Sequence, residues 1–309
     1  MTTTDTHTGA RPAPPEGRDG GLALPPEEAR QATNEHYELP SEVFMAFLDE
    51  RVKYSSALYL TPGATLEEAQ TAKLHFVAER LGLRGGECLL DVGCGWGSLT
   101  LFMAQEYGCE VTGVTPSTPQ AEYVREQALR LRIADRVHIR VGSYSDLDID
   151  GRYDAATMLG SIVHMPDRVA VLRKAYASLR REGRLYLSES CFRSAEVYRE
   201  FASRPGTRHV TETIFGFADM VPFSQLIEAA ESAGFSLERL DDLTAHYHRT
   251  IEEWERRAQA NRERIEAAAP GMAEPLVRYL RTANAGWGYT SKHYALTAAK
   301  SRLGPKAAV

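Results

Sequence analysis

Apolar positions along the chain fall into two rhythms. From Asn34 onward, Tyr37, Leu39, Val43, Phe44, Phe47 and Leu48 recur at helical spacing, which predicts a short amphipathic helix ahead of the main domain. A second helix is predicted over Leu66 to Leu83. Thr65 stands at its N-cap, and Glu68 three residues on completes a capping box, in which each side chain satisfies the other residue's free amide. Beyond it, short apolar runs predict strands at 87–92, 110–114, 137–141, 153–159 and 183–189. Between them, residues 96–107, 117–132, 166–180 and 222–233 carry helical periodicity. Strand and helix alternating with connections this short predict an α/β fold, a parallel sheet with helices on both faces.

Two stretches break the rhythm. Residues 191–221 hold no clean strand–helix unit and read as a cap insertion. Residues 248–284 are charged and helical, with Trp254, Ala258, Ile265, Leu276, Tyr279 and Leu280 at helical intervals and a break at Pro270-Gly271. They read as a helix pair covering the sheet edge, as a cover over the substrate, or as a homo-oligomer contact through the C-terminal helices. The resulting organisation is a disordered leader at 1–33, a helical segment at 34–82, a core at 83–190 and the insertion at 191–221. The rest of the core with its helical cap follows at 222–300, and a tail at 301–309. The leader's prolines (Pro12, Pro14, Pro15, Pro25, Pro26) and glycines leave few apolar residues to offset the entropy of ordering.

Charge and cysteine content narrow the function. With 36 Lys+Arg against 42 Asp+Glu the formal charge is −6, which gives no electrostatic footprint for wrapping nucleic acid. Cys88, Cys94, Cys109 and Cys191 form no CxxC pair, so neither a metal site nor a disulfide framework is expected and a reducing compartment is the default. No apolar run approaches the ~18 residues that span a bilayer, and the Thr-rich start lacks a secretory signal pattern. The expectation is a cytoplasmic protein without stable membrane association, acting on a small molecule or another protein.

The strongest local feature is Asp91-Val-Gly93-Cys-Gly95-Trp-Gly97, directly after a predicted strand and before a predicted helix. Glycines here let the chain turn sharply and let a ligand approach the backbone, with the helix N-terminus aimed at it. The Lys-Ser/Thr of a phosphate loop is absent. A dinucleotide site expects a carboxylate ~20 residues on, where this chain has Thr112-Gly-Val-Thr115-Pro-Ser. The loop is therefore shaped for a cofactor without a pyrophosphate.

With further blocks the chain resembles the class I S-adenosylmethionine (SAM) dependent methyltransferases, in their cyclopropane fatty acid synthase-like branch. The blocks are His36-Tyr-Glu-Leu39, Tyr54-Ser-Ser-Ala-Leu-Tyr59, Thr65-Leu-Glu-Glu-Ala-Gln-Thr-Ala-Lys73, Leu90-Asp-Val-Gly-Cys-Gly-Trp-Gly97, Gly113-Val-Thr-Pro-Ser117 with Gln120, and His246-Tyr-His-Arg-Thr250 with Trp254. The resemblance implies a Rossmann-like sheet, SAM as cofactor and S-adenosylhomocysteine (SAH) as product. It implies that Tyr54 and Ser55 hold the methionine end, with the backbone at Gly93 and Gly95 passing beneath. It further implies that Thr115 and Gln120 address the ribose and that Ser143 and Tyr144 lie by the adenine, with Leu159 a further cofactor-binding candidate.

The same resemblance carries departures. The branch's true synthases hold a bicarbonate base with a cysteine in a YSC block, a glutamate in an EH pair and a histidine on the fifth strand; here those positions read Ser56, Val163 and Ser188. An apolar Val163 leaves donors of such an anion site unpaired, which argues against cyclopropane formation. Direct methyl transfer needs alignment and, where the nucleophile carries a proton, a base. His164, the retained histidine of the EH pair, is the first candidate, the other reading being an imidazole bonded to loop backbone. Glu189 is the second, the other reading being a surface or capping carboxylate. Tyr37, Phe192, Phe217, Tyr247 and Tyr289 are candidates for a substrate pocket, and core packing is their alternative. The apolar, aromatic content of 191–221 points to a small, largely apolar methyl acceptor, with C-, N- and O-methylation all open. Lipid acyl-chain methylation or cyclopropanation, and a cyclase that keeps SAM bound without transfer, are the competing readings.

Overall fold

The computed structural model describes residues 39–149, 151–205, 207 and 218–300. The leader, the tail, Tyr37 and Phe217 lie outside the described residues.

The first described helix, α1 (Ser41–Phe47), buries Val43, Phe44 and Phe47. Helix α2 (Leu66–Leu81) starts at the expected capping box: the Thr65 hydroxyl accepts from the Glu68 amide at 3.2 Å, and the Glu68 carboxylate accepts from the Thr65 amide at 2.9 Å. It stops at Gly82, whose φ of 72° is open to glycine and strained for other residues.

Strand–helix alternation then runs as β1 (Cys88–Val92), α3 (Ser98–Glu106), β2 (Glu110–Thr115), α4 (Thr118–Arg130), β3 (Val137–Val141), β4 (Tyr153–Leu159), α5 (Arg168–Ser178) and β5 (Leu179–Phe192). After β5 come α6 (Ala195–Phe201), α7 (Phe223–Ser232), β6 (Phe235–Asp242), α8 (Thr244–Ala260), α9 (Arg262–Ala268), α10 (Ala273–Ala285) and β7 (Ser291–Lys300). The seven strands form one sheet in the order β3-β2-β1-β4-β5-β7-β6.

The sheet is the expected Rossmann-like one, with an antiparallel addition at one side. The first five strands are parallel, but β7 inserts antiparallel between β5 and β6. Neither β6 nor β7 stands out in the hydrophobic pattern. β6 is an edge strand that buries little beyond Phe235, and β7 is built on Ala295, Thr297, Ala298 and Ala299, held by ladders on both sides.

Successive side chains of a strand face opposite sides of the sheet, so Leu89 and Leu90 enter different cores. One face packs Leu74, Leu99, Phe102 and Tyr186. The other packs Met158, Leu172, Leu187, Leu226 and Leu296. A third cluster joins Phe44, Phe47, Trp254, Ile265, Val277 and Leu280 from α1, α8, α9 and α10 to Trp96 of the glycine loop. Residues 248–284 thus cover the C-terminal ends of the parallel strands, where open α/β sheets bind ligands. β5 also outruns its parallel neighbour: the ladder to β4 ends at Leu159↔Ser188, so Glu189 and Ser190 project past it and pair with Tyr294 and His293 of β7.

Candidate active site

The glycine loop sorts its glycines by role. A Cβ on Gly93 would lie 2.4 Å from the Ser161 Cβ, and one on Gly97 would lie 2.5 Å from Val124. Those two glycines serve the protein's own packing. Gly95 (φ 55°) and Gly160 (φ 69°) have open space where a side chain would stand, and both line a cavity of about 320 Å³. Asp91, the acid before the loop, is not a wall residue. Its carboxylate accepts from Thr100 at 2.8 Å and Thr157 at 2.9 Å, tying β1 to α3 and β4.

The cavity collects most of the cofactor residues implied by the resemblance. Tyr54, Gly93, Gly95, Thr115, Gln120, Ser143, Tyr144 and Leu159 all line it. Thr115 donates to the Gln120 carbonyl at 2.7 Å, which leaves the Gln120 amide nitrogen as a donor at the wall. Ser98, the first residue of α3, is also on the wall, and its buried hydroxyl has no partner among the described residues. Ser55 stands one layer deeper. Its hydroxyl accepts at 2.9 Å from the buried Lys73 amino group, whose pKa burial pushes well down, and Ser55 lines a second cavity.

Sequence reasoning missed Lys53. It lines the first cavity at 7% exposure, and burial depresses its pKa, an effect that Asp91 and Asp49 only partly offset. Charged side chains seldom occupy such positions without a partner; the signal in the sequence is a lysine enclosed by Val52 and Tyr54.

The second cavity, about 120 Å³, shares Tyr54, Gly160 and His164 with the first. His164 closes a short 3₁₀ turn (Ile162–His164), so the retained histidine sits where the two spaces meet. Aromatic rings form much of the remaining wall. Tyr247 packs against Trp287 at 4.8 Å, Trp254 at 5.8 Å and His293 at 4.6 Å.

The overhang of β5 brings polar groups into this apolar space. Glu189 is 3% exposed, not the surface carboxylate that was its alternative reading. It accepts from the Val163 amide at 3.3 Å and the Ser190 amide at 2.9 Å, and burial pushes its pKa from 4.5 up to about 7. His293 is buried and shares a 3.2 Å hydrogen bond between Nδ1 and the Ser190 hydroxyl. Burial, with Lys73 nearby, pushes the His293 pKa down to about 3, so the ring is neutral near pH 7. Its Nε2 has no partner among the described residues. His293 was not foreseen because β7 itself was not.

Two aromatic candidates lie elsewhere. Phe192 is buried against Tyr198 at 5.2 Å and lines neither cavity. Tyr289 is 70% exposed, in the turn leading to β7, with its ring on Phe201 at 6.4 Å. Of the three departures, Ser56 donates to the Ala57 carbonyl, Ser188 is buried opposite Leu159, and Val163 lines the second cavity. Among the described residues no group of three His, Cys, Asp or Glu side chains is placed to hold a metal ion, and no helix is long and apolar enough to cross a membrane.

Comparison with known proteins gives a consistent set of likenesses. The family model described as "Mycolic acid cyclopropane synthetase" matches residues 26–294. A "Probable fatty acid methyltransferase" of Pseudomonas putida is 28% identical over 261 residues, covering 84% of this chain and 65% of its own length. "Sphingolipid C9-methyltransferase 1" of Gibberella zeae is 31% identical over 247 residues, covering 78% of this chain and 47% of its own. The chain thus spans about half to two thirds of the length of these curated relatives. Among solved structures, mycolic acid cyclopropane synthase CmaA1 complexed with SAH and CTAB superposes with a TM-score of 0.80 at 25% identity, covering 88% of this chain and 98% of that one.

Proposed function

The chain belongs to the mycolic acid cyclopropane synthetase family, and on that premise we propose that it is a SAM-dependent methyltransferase acting on a small, largely apolar acceptor by direct displacement. The observation that carries the proposal is the meeting of two cavities at Tyr54, Gly160 and His164, one over the glycine loop and one inside the aromatic cap.

The first cavity fits the cofactor. Its volume of about 320 Å³ falls in the range of small-ligand sites, and the open wall at Gly95 and Gly160 admits a ligand against the main chain. Tyr54 and the loop at Gly93 and Gly95 hold the amino-acid end, with Ser55 backing them one layer deeper. Thr115 and Gln120 take the ribose, Ser143 and Tyr144 flank the adenine, and Leu159 lines the same cavity. When bound, the cofactor supplies a methyl group already activated on a sulfonium.

The protein's remaining work is positioning, exclusion of water and, for a protonated nucleophile, proton removal. Alignment of reactants is worth up to ~7–11 kcal/mol of barrier. His164 and Glu189 both border the second cavity and are the two candidate proton acceptors. Cyclopropane formation is not part of the proposal, since Ser56, Val163 and Ser188 provide no carboxylate or imidazole for an anion base.

Calorimetric titration tests the reading. SAM and SAH bind the wild-type protein with one site, and a Gly95→Val variant, which fills the open wall, loses that binding. Equal binding by the variant, or preference for a dinucleotide, contradicts the proposal. Candidate acceptors are then scored by stoichiometric SAH, which a cyclase without transfer does not release.

A further inference from the structure

Among the described residues, the second cavity sets a buried acid beside aromatic rings and gives that acid no cationic partner. Glu189 is a buried carboxylate held, among the described residues, only by two backbone amides. No cationic side chain lies within ion-pair distance of it among the described residues, and Arg168, the cation that acts on it from farther away, is paired with Asp219 at 2.6 Å. A buried carboxylate without a counter-charge is costly. On the same wall His293, 2% exposed, leaves Nε2 without a partner among the described residues. Tyr247, Trp254 and Trp287 line the same cavity, together with His164 and apolar residues such as Ile251 and Leu280.

We infer that the methyl acceptor is an amine, its nitrogen held as a cation by Glu189 and the rings of Tyr247, Trp254 and Trp287, with His293 available as a second hydrogen-bond partner. The inference rests on reading the first cavity as the methyl-donor site. Ring faces attract a cation, and most strongly where water is excluded. An N–H donor to a carboxylate forms a charge-assisted hydrogen bond. An acceptor with a carboxylate of its own meets repulsion from Glu189, and a neutral alcohol leaves that charge uncompensated. Before transfer, an N–H bond of the ammonium breaks, its electron pair stays on nitrogen as the lone pair that receives the methyl group, and the proton forms an O–H bond on Glu189. The buried carboxylate, with a pKa near 7, is suited to hold that proton.

The test compares N-methylphenethylamine with butylbenzene, its uncharged isostere, by tryptophan fluorescence on the full-length protein with and without SAH. The amine binds at least tenfold more tightly than the isostere. Glu189→Gln removes that preference while changing butylbenzene affinity less than twofold, and Trp287→Leu weakens amine binding with Glu189 in place. Equal binding of the two probes, binding of neither, or a preference that survives Glu189→Gln overturns the inference. SAH binding is read separately. Its absence defeats the methyl-donor reading, whereas a charge preference seen without SAH still supports the cation site.

Discussion

Glu189→Gln isolates the cost of burying one carboxylate. The folded protein keeps the Glu189 proton up to about pH 7, while the unfolded chain releases it near 4.5. Between those values the folded state binds more protons, so this group's contribution to stability falls as pH rises. At about 1.4 kcal/mol per pH unit the full effect is about 3 kcal/mol. Glutamine cannot ionise, and one of the two backbone amides that now donate to Glu189 faces its NH₂ group, a pH-independent cost of about 1 kcal/mol. His293 has the opposite sign: its pKa is lowered from 6.5 to about 3, so its contribution is lost as pH falls through that window. It is present in both proteins and cancels in the difference. Urea denaturation of the ligand-free proteins from pH 5 to pH 8 is the assay. The variant gains about 2.5 kcal/mol relative to wild type across that range, most of it complete by pH 7.5. Parallel stability curves, or a variant that loses ground as pH rises, refute the account of Glu189 as an uncompensated buried acid.

Further outcomes follow from the same geometry. Lys53→Met removes the cation on the wall of the first cavity, and with it a partner for the carboxylate of SAM. SAM and SAH affinity falls about tenfold, about 1.4 kcal/mol, while methylthioadenosine, which lacks the amino-acid tail, binds within twofold of wild type by calorimetry. Fold integrity is kept, because the hydrogen bonds at residue 53 to Asp49 and Gln70 are made by its main chain. His164→Ala spares SAM affinity and lowers turnover about tenfold, whereas Glu189→Gln lowers it ~10²–10⁴-fold in single-turnover kinetics. The reverse ranking moves the proton acceptor to His164. Added bicarbonate leaves turnover unchanged, and stimulation contradicts the reading of Ser56, Val163 and Ser188.

How much of this was legible in the chain follows from how local each signal is. The Thr65–Glu68 capping box and the turn at Gly93–Gly97 are written in a few adjacent residues, and both lie where the pattern put them. β7 is a different case. An Ala- and Thr-rich segment becomes a strand because β5 and β6 flank it, a tertiary effect that no window of sequence holds. His293 was missed for that reason. Tyr289 was chosen for its aromatic character, without sight of the turn that leaves it in solvent. Lys53 ran against the expectation that lysines face water, and its burial is visible only once α1 and the glycine loop close around it. Glu189 could be placed at a strand end, but its burial depends on the overhang of β5 past β4.

The most direct test of the central claim is an experimental structure of the protein with SAH. The account predicts ligand density against Gly95, with the ribose at Thr115 and Gln120 and the sulfur directed at the junction of Tyr54, Gly160 and His164, facing the aromatic cavity. Density elsewhere on the protein, or a sulfur turned away from that junction, contradicts it.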